Sequence, residues 1–272
     1  MTPPIALVTD ASADVPSVER HGSNWHVVPE VWRGGGLELL DYGEQNRDLM
    51  RLVLGPTPME VSEPGFDDFR RTYEQLADVE AVFSMHPSTQ VSQAAVAARE
   101  AAGGFPNVRV IETGVTGIGV GLLSIRARDL ALDGHDADSI ERYLMRQRDH
   151  VRFVVVPDHF DPTSSQRLFS ATLLSGRPSL SARDGTMARS RRLRTRKATV
   201  TAIEDALRDM APPDHTIRMA VGHGDAAGAV DPLLDIVERI RPAASIDLVG
   251  RIGPRLTAQV GSRCVGVAWL VE

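Results

Sequence analysis

The sequence predicts an α/β protein, and two patterns in its 272 residues lead to that prediction. Short apolar runs alternate with stretches of helical length through the first half. Such alternation is typical of a parallel sheet whose strands are connected by helices. The second half adds a hairpin pattern to further strand–helix units, which predicts a mixed sheet. We therefore expect an N-terminal parallel-sheet domain at residues 1–150 and a C-terminal mixed-sheet domain at 151–272, with the boundary near His150.

Composition and charge are those of an ordinary globular chain. Hydrophobic residues make up 42% of the sequence and charged residues 24%, typical of a chain with a packed core. The formal net charge of −6 argues against nucleic-acid binding. No apolar run is long enough to cross a bilayer, and the N-terminus lacks the pattern of a signal peptide. Cys264 is the single cysteine. We expect a cytoplasmic protein that is not integral to a membrane.

The stretch Val82–Ala98, VFSMHPSTQVSQAAVAA, organises the first domain. It reads as a buried strand, a polar loop and the start of a helix. Free backbone N–H groups and the dipole of a helix start favour an anion, and Ser88, Thr89 and Ser92 add hydroxyl groups there. The alternative is that these hydroxyls only cap the helix.

The other elements of the first domain follow from apolar periodicity and turn residues. Ile5–Thr9 reads as a buried strand that delivers Asp10 at its carboxyl end, where ligands gather in open α/β sheets. Proline and glycine predict loops at Gly34–Asn46 and Pro56–Gly65. The remaining expected elements are strands at His26–Trp32 and Val108–Ile111 and helices at Phe66–Leu76, Gly117–Leu132 and Ser139–Val151.

In the second domain, the Asp184-Gly185 pair predicts a hairpin between Pro178–Ala182 and Thr186–Arg192. The segment Asp158–Ser175 has no clear pattern. The other expected elements are strands at Phe153–Val156, Ile217–Val221, Ile246–Val249 and Val265–Val271 and helices at Thr195–Met210 and Val230–Ile240.

Motifs of catalysis are weak in this chain. Asp10 and Asp14 resemble the aspartate pair of metal-dependent phosphatases, but their spacing is four instead of two, and a helix cap or turn explains them better. The GIGVG run from Gly117 has Leu122 where a dinucleotide loop has its last glycine, so close helix packing is the better explanation. No G-x-S-x-G elbow and no metal-ligand spacing is present. We expect no catalytic residue, no metal and no cofactor.

The segment Arg189–Lys197, RSRRLRTRK, carries six basic residues in nine. One interpretation is a solvated strand edge. The other is that one or two of these arginines face inward towards an anionic ligand, since neighbours on a strand point to opposite faces.

The motifs of this chain, taken in order, resemble those of a known family. IALVTDASADVP is similar to the opening IAIVTDSTADLP, and FSMHPSTQVSQAAVAA aligns without gaps on LSIHISSKLSGTYQSA. PMEVSEPGFDDFRRTY resembles a TSQPS-containing stretch, VIETGVTGIGVGLL resembles VIDTKSASMGQGLL, and RPSLSARDGTMARSRRLRTRKA resembles a DG…RTRKKA hairpin. AQVGSRCVGVAWL is similar to THTGPGALGVAF. The chain is identified as a divergent member of the DegV family of bacterial fatty-acid-binding proteins.

This resemblance implies a two-domain DegV-like fold with a ligand tunnel between the domains. A long-chain fatty acid or related lipid is buried in that tunnel, with its head group held near the surface by hydroxyls and basic groups. The family implies a fatty-acid kinase as partner and no chemistry by the binder itself. Burying each CH₂ of an acyl chain contributes about 0.8 kcal/mol.

The resemblance also assigns the ligand-binding residues. Three positions keep the family's residue type and three depart from it. The kept ones are Ser62, Ser92 and Arg194; the departures are Val61 for threonine, Gln93 for the glycine after the serine, and Gln259 for histidine. These departures predict a head-group site that is weakened or specific for another head group.

A second function class stays open. A phosphoryl- or acyl-transfer enzyme could use the Asp10/Asp14 loop and the Ser88/Ser92 loop around one crevice. Such an enzyme needs a base or a metal, and His86, the histidine nearest in sequence to those serines, is expected to be a strand-end residue instead.

Overall fold

The fold is taken from a computed structural model, which describes residues 4–43, 47–156, 177–183, 186–193, 201, 203–205, 207–208 and 215–272. The strands are numbered in chain order: β1 (Ile5–Asp10), β2 (Asn24–Val28), β3 (Glu30–Gly34), β4 (Leu37–Asp41), β5 (Glu60–Ser62), β6 (Ala81–His86), β7 (Val108–Glu112), β8 (Arg152–Val156), β9 (Arg177–Arg183), β10 (Thr186–Leu193), β11 (Ile217–His223), β12 (Ser245–Arg251) and β13 (Val265–Val271).

The helices are α1 (Arg47–Val53), α2 (Phe66–Gln75), α3 (Ala94–Ala102), α4 (Ile118–Leu132), α5 (Ala137–Gln147), α6 (Val230–Ile240) and α7 (Pro254–Val260). Residues 201, 203–205, 207 and 208 are helical too, and Ile203 and Leu207 are buried. Among the described residues, no helix is both long and apolar enough to cross a membrane.

The first half is built on a parallel sheet with the order β2-β1-β6-β7, as its strand–helix alternation predicts. Helices α2 and α3 pack on one face, where Phe69 and Tyr73 join Val8 and Val82 in one core cluster. Helices α4 and α5 contribute to the cluster on the other face. Both faces are therefore covered, which is why the strands read as continuous apolar runs.

Helix α4 joins the two halves. It is buried nearly all round, because its residues pack on strands of the first sheet and also on β8, β11, β12 and β13. Gly121 permits this packing, since a Cβ there would lie only 2.6 Å from the carbonyl oxygen of Ala13. The glycines of the GIGVG run thus serve close packing, as expected from the missing last glycine. The core cluster extends from Leu7 in β1 to Ala268 in β13.

The second half forms a six-stranded mixed sheet with the order β10-β9-β8-β13-β11-β12. Only β11 and β12 pair in parallel, and the other four pairs are antiparallel. The hairpin of β9 and β10 is present as predicted, whereas its Asp184-Gly185 turn lies outside the described residues. The segment Asp158–Ser175 lies outside them too, as does most of the predicted helix Thr195–Met210. The boundary near His150 stays a prediction.

The first half also contains a small antiparallel sheet, β4-β3-β5, which was not predicted. The predicted strand His26–Trp32 is wrong as one element, because it splits at Pro29 into β2 and β3 of different sheets. Proline lacks the N–H that a continuous ladder needs. The predicted loop Gly34–Asn46 contains β4, which is joined to β3 by Gly35-Gly36 at positive φ, a hairpin turn signal.

The other differences are small. The predicted loop Pro56–Gly65 contains β5, a three-residue edge strand between prolines. Helices α1 and α7 were not predicted, and both have only seven residues, about two turns. Helix α5 begins earlier than expected, because Asp136 caps it through the N–H of Ser139, and it ends at Gln147 instead of Val151. The remaining predicted elements lie within one or two residues of their observed bounds.

Candidate functional site

Strands β1 and β6 end side by side and deliver a buried polar network at their carboxyl ends. The parallel register places Thr9 beside Met85, so Asp10 comes next to His86. The Nδ1 atom of His86 lies 2.7 Å from Oδ2 of Asp10, and its Nε2 lies 2.7 Å from Oγ of Ser84. Ser84 Oγ is 2.7 Å from the hydroxyl oxygen of Tyr73 on α2. We call these hydrogen-bonded side chains the Asp10 network; its members are Tyr73, Ser84, His86, Asp10 and Ser12.

Each side chain of the Asp10 network contacts another member of that network. Oδ1 of Asp10 accepts hydrogen bonds from the backbone N–H of Ser12, at 3.0 Å, and from its hydroxyl. Burial alone raises the pKa of Asp10, but the hydrogen bond and charge of His86, together with Ser12, outweigh burial and hold that pKa below its ordinary value. His86 is fully buried and also packs edge-on against Phe69. As expected, it is a strand-end histidine, and Asp10 caps a short 3-10 turn.

The hydroxyls of the loop between β6 and α3 serve the backbone and an acidic side chain. Thr89 donates from both its N–H and its hydroxyl to Oε1 of Glu112. Ser92 Oγ accepts from the N–H of Ala94 at 3.1 Å, and Ser88 Oγ accepts from the N–H of Gln90. Of these hydroxyls, only that of Ser92 meets an N–H of α3, and the N-cap residue Gln93 makes no side-chain capping bond. The anion site therefore stays a prediction.

The predicted ligand residues of β5 lie on opposite faces of the small sheet, since neighbours on a strand alternate. Val61 is half-buried and packs against the core cluster of Trp32, Leu49 and Met59. Ser62 is exposed, and its Oγ accepts from Nη1 of Arg33 at 3.1 Å.

Glu63 joins the two predicted serine loops. It directly follows Ser62, and its Oε2 accepts from the N–H of Gln93 at 2.6 Å. Gln93 directly follows Ser92, which is buried. The structure therefore brings the β5 loop and the start of α3 together, as the resemblance implies, and it does so through a glutamate that sequence reasoning did not select.

Arg255 on α7 completes this junction from the second half of the chain. Its Nη1 donates to Oε1 of Glu30 at 3.1 Å, and its Nη2 donates to Oε1 of Glu63 and to the carbonyl oxygen of Val91, the latter at 3.1 Å. We call Arg255, Glu30, Glu63, the Gln93 amide and the Val91 carbonyl the Arg255 network. Burial lowers the pKa of Arg255, but the two glutamates outweigh burial and raise it above its ordinary value.

A buried acidic cavity lies beside the Arg255 network. It has a volume of about 10 Å³ and is lined by Asp14, Glu30, Asp41 and Arg255, among other residues; this is room for about one water molecule. Burial raises the pKa of Glu30 to about 8, against the lowering effect of Arg255. Burial also raises the pKa of Asp14 well above its ordinary value, although the N–H of Gly253 opposes this. Both carboxyl groups therefore hold a proton more tightly in the folded chain than in the unfolded one.

An open cleft reaches the same region from the surface. It encloses about 590 Å³ between α1 and the loops at Asp225 and Ser262, and three arginines line it: Arg47, Arg51 and Arg251. A smaller cavity shares Met50 and Arg251 with this cleft and shares Asp14, Asp41 and Pro254 with the acidic cavity. The acidic cavity is thus separated from a basic surface by a single intervening cavity.

Two predicted site residues remain, Gln259 and Arg194. Gln259 is buried on α7, one helical turn after Arg255 and so on the same side of that helix. Arg194 lies outside the described residues.

Burial raises the pKa of the Cys264 thiol to about 12, so this thiol is no nucleophile. Within the described part of the chain, no group of three or more His, Cys, Asp or Glu side chains could hold a metal ion.

Sequence reasoning missed Glu63, Arg255 and Glu30. A signal existed for two of them, since Glu63 adjoins the selected Ser62 and Arg255 precedes the selected Gln259 by four residues. No signal marked Glu30, because its partner Arg255 lies 225 residues away in the chain.

Curated relatives resemble this chain along its whole length. It is 28% identical over 277 residues to a DegV domain-containing protein of Mycobacterium tuberculosis, covering 97% of this chain and 96% of that protein. It is 26% identical over 282 residues to one of Streptomyces coelicolor, covering 97% of each.

Solved structures share the fold. One is a DegV family protein from Thermus thermophilus, whose structure is described in terms of fatty acid binding. It matches with a TM-score of 0.85 and 25% identity over 98% of this chain and 99% of that one. DegV from Bacillus subtilis, described as a fatty acid binding protein, matches with a TM-score of 0.82 and 21% identity over 98% and 99%. The model of the family described as "Uncharacterised protein, DegV family" matches residues 4–272. The chain belongs to the DegV family.

Proposed function

We propose that this protein binds a long-chain fatty acid or a related lipid and buries its acyl chain between the two halves. The observation that carries the proposal is the match to the fatty-acid-binding protein of Thermus thermophilus, at a TM-score of 0.85 over 98% of this chain. The head group is held where the β5 loop, the start of α3 and helix α7 meet. Long acyl chains gain most of their affinity from burial, at about 0.8 kcal/mol per CH₂, and a few polar groups then fix the head group.

Within this proposal, six residues hold the head group or border it. They are those that the family resemblance assigns: Val61, Ser62, Ser92, Gln93, Arg194 and Gln259. The contact between Glu63 and the Gln93 amide supports the assignment, because it joins the two serine loops. The protein acts without catalysis or cofactor, in the cytoplasm, and presents its ligand to a fatty-acid kinase. Both oxygens of Asp10 are engaged by His86 and Ser12, which supports a carrier over a transferase that uses Asp10.

Native mass spectrometry of the freshly purified protein tests this function. We expect a bound acyl compound in near-stoichiometric amount, identified after organic extraction. Delipidated protein should rebind a fatty acid from solution. A protein that is isolated without ligand and that also ignores added fatty acids and fatty alcohols would contradict the proposal. Pull-down with a fatty-acid kinase, in the presence and absence of bound ligand, tests the partner separately.

A further inference from the structure

Arg255 is a cation that three chain segments share. It reaches Glu30 at the start of β3, Glu63 after β5 and the carbonyl of Val91 before α3. Its side chain is 12% exposed. Within the described part of the chain, its Nε atom is buried and has no hydrogen-bond partner. The guanidinium therefore lies at the proposed head-group position with donor capacity left over.

Glu63 places a carboxylate of this chain at that same position. One of its oxygens accepts from Arg255 and the other accepts from the N–H of Gln93 at 2.6 Å. A guanidinium and a backbone amide are the donors that a ligand carboxylate would use. The serines proposed for the head group, Ser62 and Ser92, each adjoin a residue of this contact. Glu63 thus occupies the donors that an acidic ligand needs.

The two glutamates on Arg255 differ in their freedom to leave. Glu30 is 1% exposed, and it starts a strand that pairs on both sides. Glu63 is 22% exposed and follows a three-residue edge strand, outside any helix or strand. Moving Glu63 into solvent breaks no backbone ladder, whereas moving Glu30 would disturb the small sheet. Glu63 is therefore the partner that exchanges.

We propose that Arg255 selects ligands with an anionic head group, and that Glu63 is an internal carboxylate which the ligand's carboxylate displaces from Arg255 and from the Gln93 amide. This inference rests on the proposed function, because it concerns the same head-group site. One carboxylate replaces another on the same donors, so the exchange leaves no buried donor without an acceptor. A fatty alcohol cannot replace the charge, and it binds with Glu63 still in place. Glu63 thereby lowers the preference for acids over alcohols.

The test compares hexadecanoic acid with hexadecanol as probes of the delipidated full chain. Glu63→Gln keeps the shape and an acceptor for the Gln93 N–H but removes the competing charge. We expect the acid to bind about tenfold more tightly to this variant than to the wild type, with the alcohol changed by less than about twofold. Glu74→Gln, which removes a charge from an exposed pair with Arg70 on α2, is the matched control and should change neither affinity.

Arg255 is tested in the Glu63→Gln background, in which the buried Glu30 still faces position 255. The double variant Glu63→Gln with Arg255→Gln should lose the gain in acid affinity and retain the alcohol affinity, while Glu63→Gln with Arg255→Lys should keep part of the gain. Unchanged or weaker acid binding by Glu63→Gln, with normal binding by the wild type, overturns the inference and leaves the proposed function standing. If Glu63→Gln binds hexadecanoic acid and the wild type does not, the result supports the inference. If neither protein binds either probe, both the inference and the proposed function are wrong.

Discussion

The Asp10 network and the Arg255 network lie close together but are built in different ways. The Asp10 network joins neighbouring strands of one sheet, and Asp10 and His86 are 2% exposed or less. The Arg255 network joins segments up to 225 residues apart, and it contains the partly exposed Glu63. Polar groups that are fully satisfied within one sheet stabilise the fold. Groups that meet across the two halves, with one partner able to leave, suit the binding of a ligand.

The largest effect that separates the two networks is expected from His86→Phe. This change leaves the buried carboxylate of Asp10 without its hydrogen-bond partner on β6, and it should lower the free energy of unfolding by about 3–5 kcal/mol. Urea denaturation followed by circular dichroism measures the loss. The control is His135→Phe on an exposed turn, which should cost less than about 0.5 kcal/mol. Equal, small losses in both variants would show that Asp10 gains little from His86.

A smaller effect on the free energy of unfolding, of a few kcal/mol at most, is expected when the pH changes the protonation of Glu30 in the Arg255 network. The folded chain raises the pKa of Glu30 from 4.5 to about 8, so the folded state keeps a proton that the unfolded state loses. Stability should therefore be greatest below pH 4.5 as far as Glu30 is concerned, and it should decrease as the pH rises through 8.

Denaturation of the wild type and of Glu30→Gln at pH 6 and pH 9 checks this sign. The variant should lose less stability between the two values than the wild type, because it lacks the carboxyl group whose pKa burial raises to about 8. Glu74→Gln serves as the control and should follow the wild type. A larger loss in Glu30→Gln than in the wild type would contradict the assignment.

Ser92→Ala should affect both stability and binding by a modest amount. The N–H of Ala94, the first residue of α3, loses its side-chain acceptor, which should cost about 1 kcal/mol of stability. If the head group contacts Ser92, affinity for the acyl ligand should fall by about 1 kcal/mol as well. Calorimetric titration alongside denaturation distinguishes the two effects. Lost stability with unchanged affinity would restrict Ser92 to its hydrogen bond with the N–H of Ala94.

The smallest effect is expected from Ser62→Ala, and it should appear in binding alone. Ser62 is exposed and accepts only a surface contact from Arg33 among the bonds described, so the free energy of unfolding should change by less than about 0.5 kcal/mol. Affinity for the acyl ligand should fall by about 1 kcal/mol if its hydroxyl meets the head group. Arg33→Ala is the control for the surface contact, and a loss of affinity equal to that of Ser62→Ala would assign the effect to that contact.

Most of the fold was predictable because its signals are local. Apolar runs bounded by turn residues predicted β1, β6, β11 and β13, and helical periodicity predicted α6 with the bounds that the structure has. The misses have local causes too. Pro29 divides a predicted strand, and the Gly35-Gly36 turn signal was not used. The seven-residue helices α1 and α7 are too short for periodicity to detect.

The sequence by itself determined the α/β class, the parallel first sheet and the mixed second sheet, because those features depend on local apolar patterns and on the order of the elements. Only the tertiary structure decided that Glu63, Gln93 and Arg255 meet. An ion pair carries no periodicity, and its partners are chosen by how the two halves pack on α4. The burial that raises the pKa of Glu30 was decided in the same way, since burial follows from packing and not from residue type.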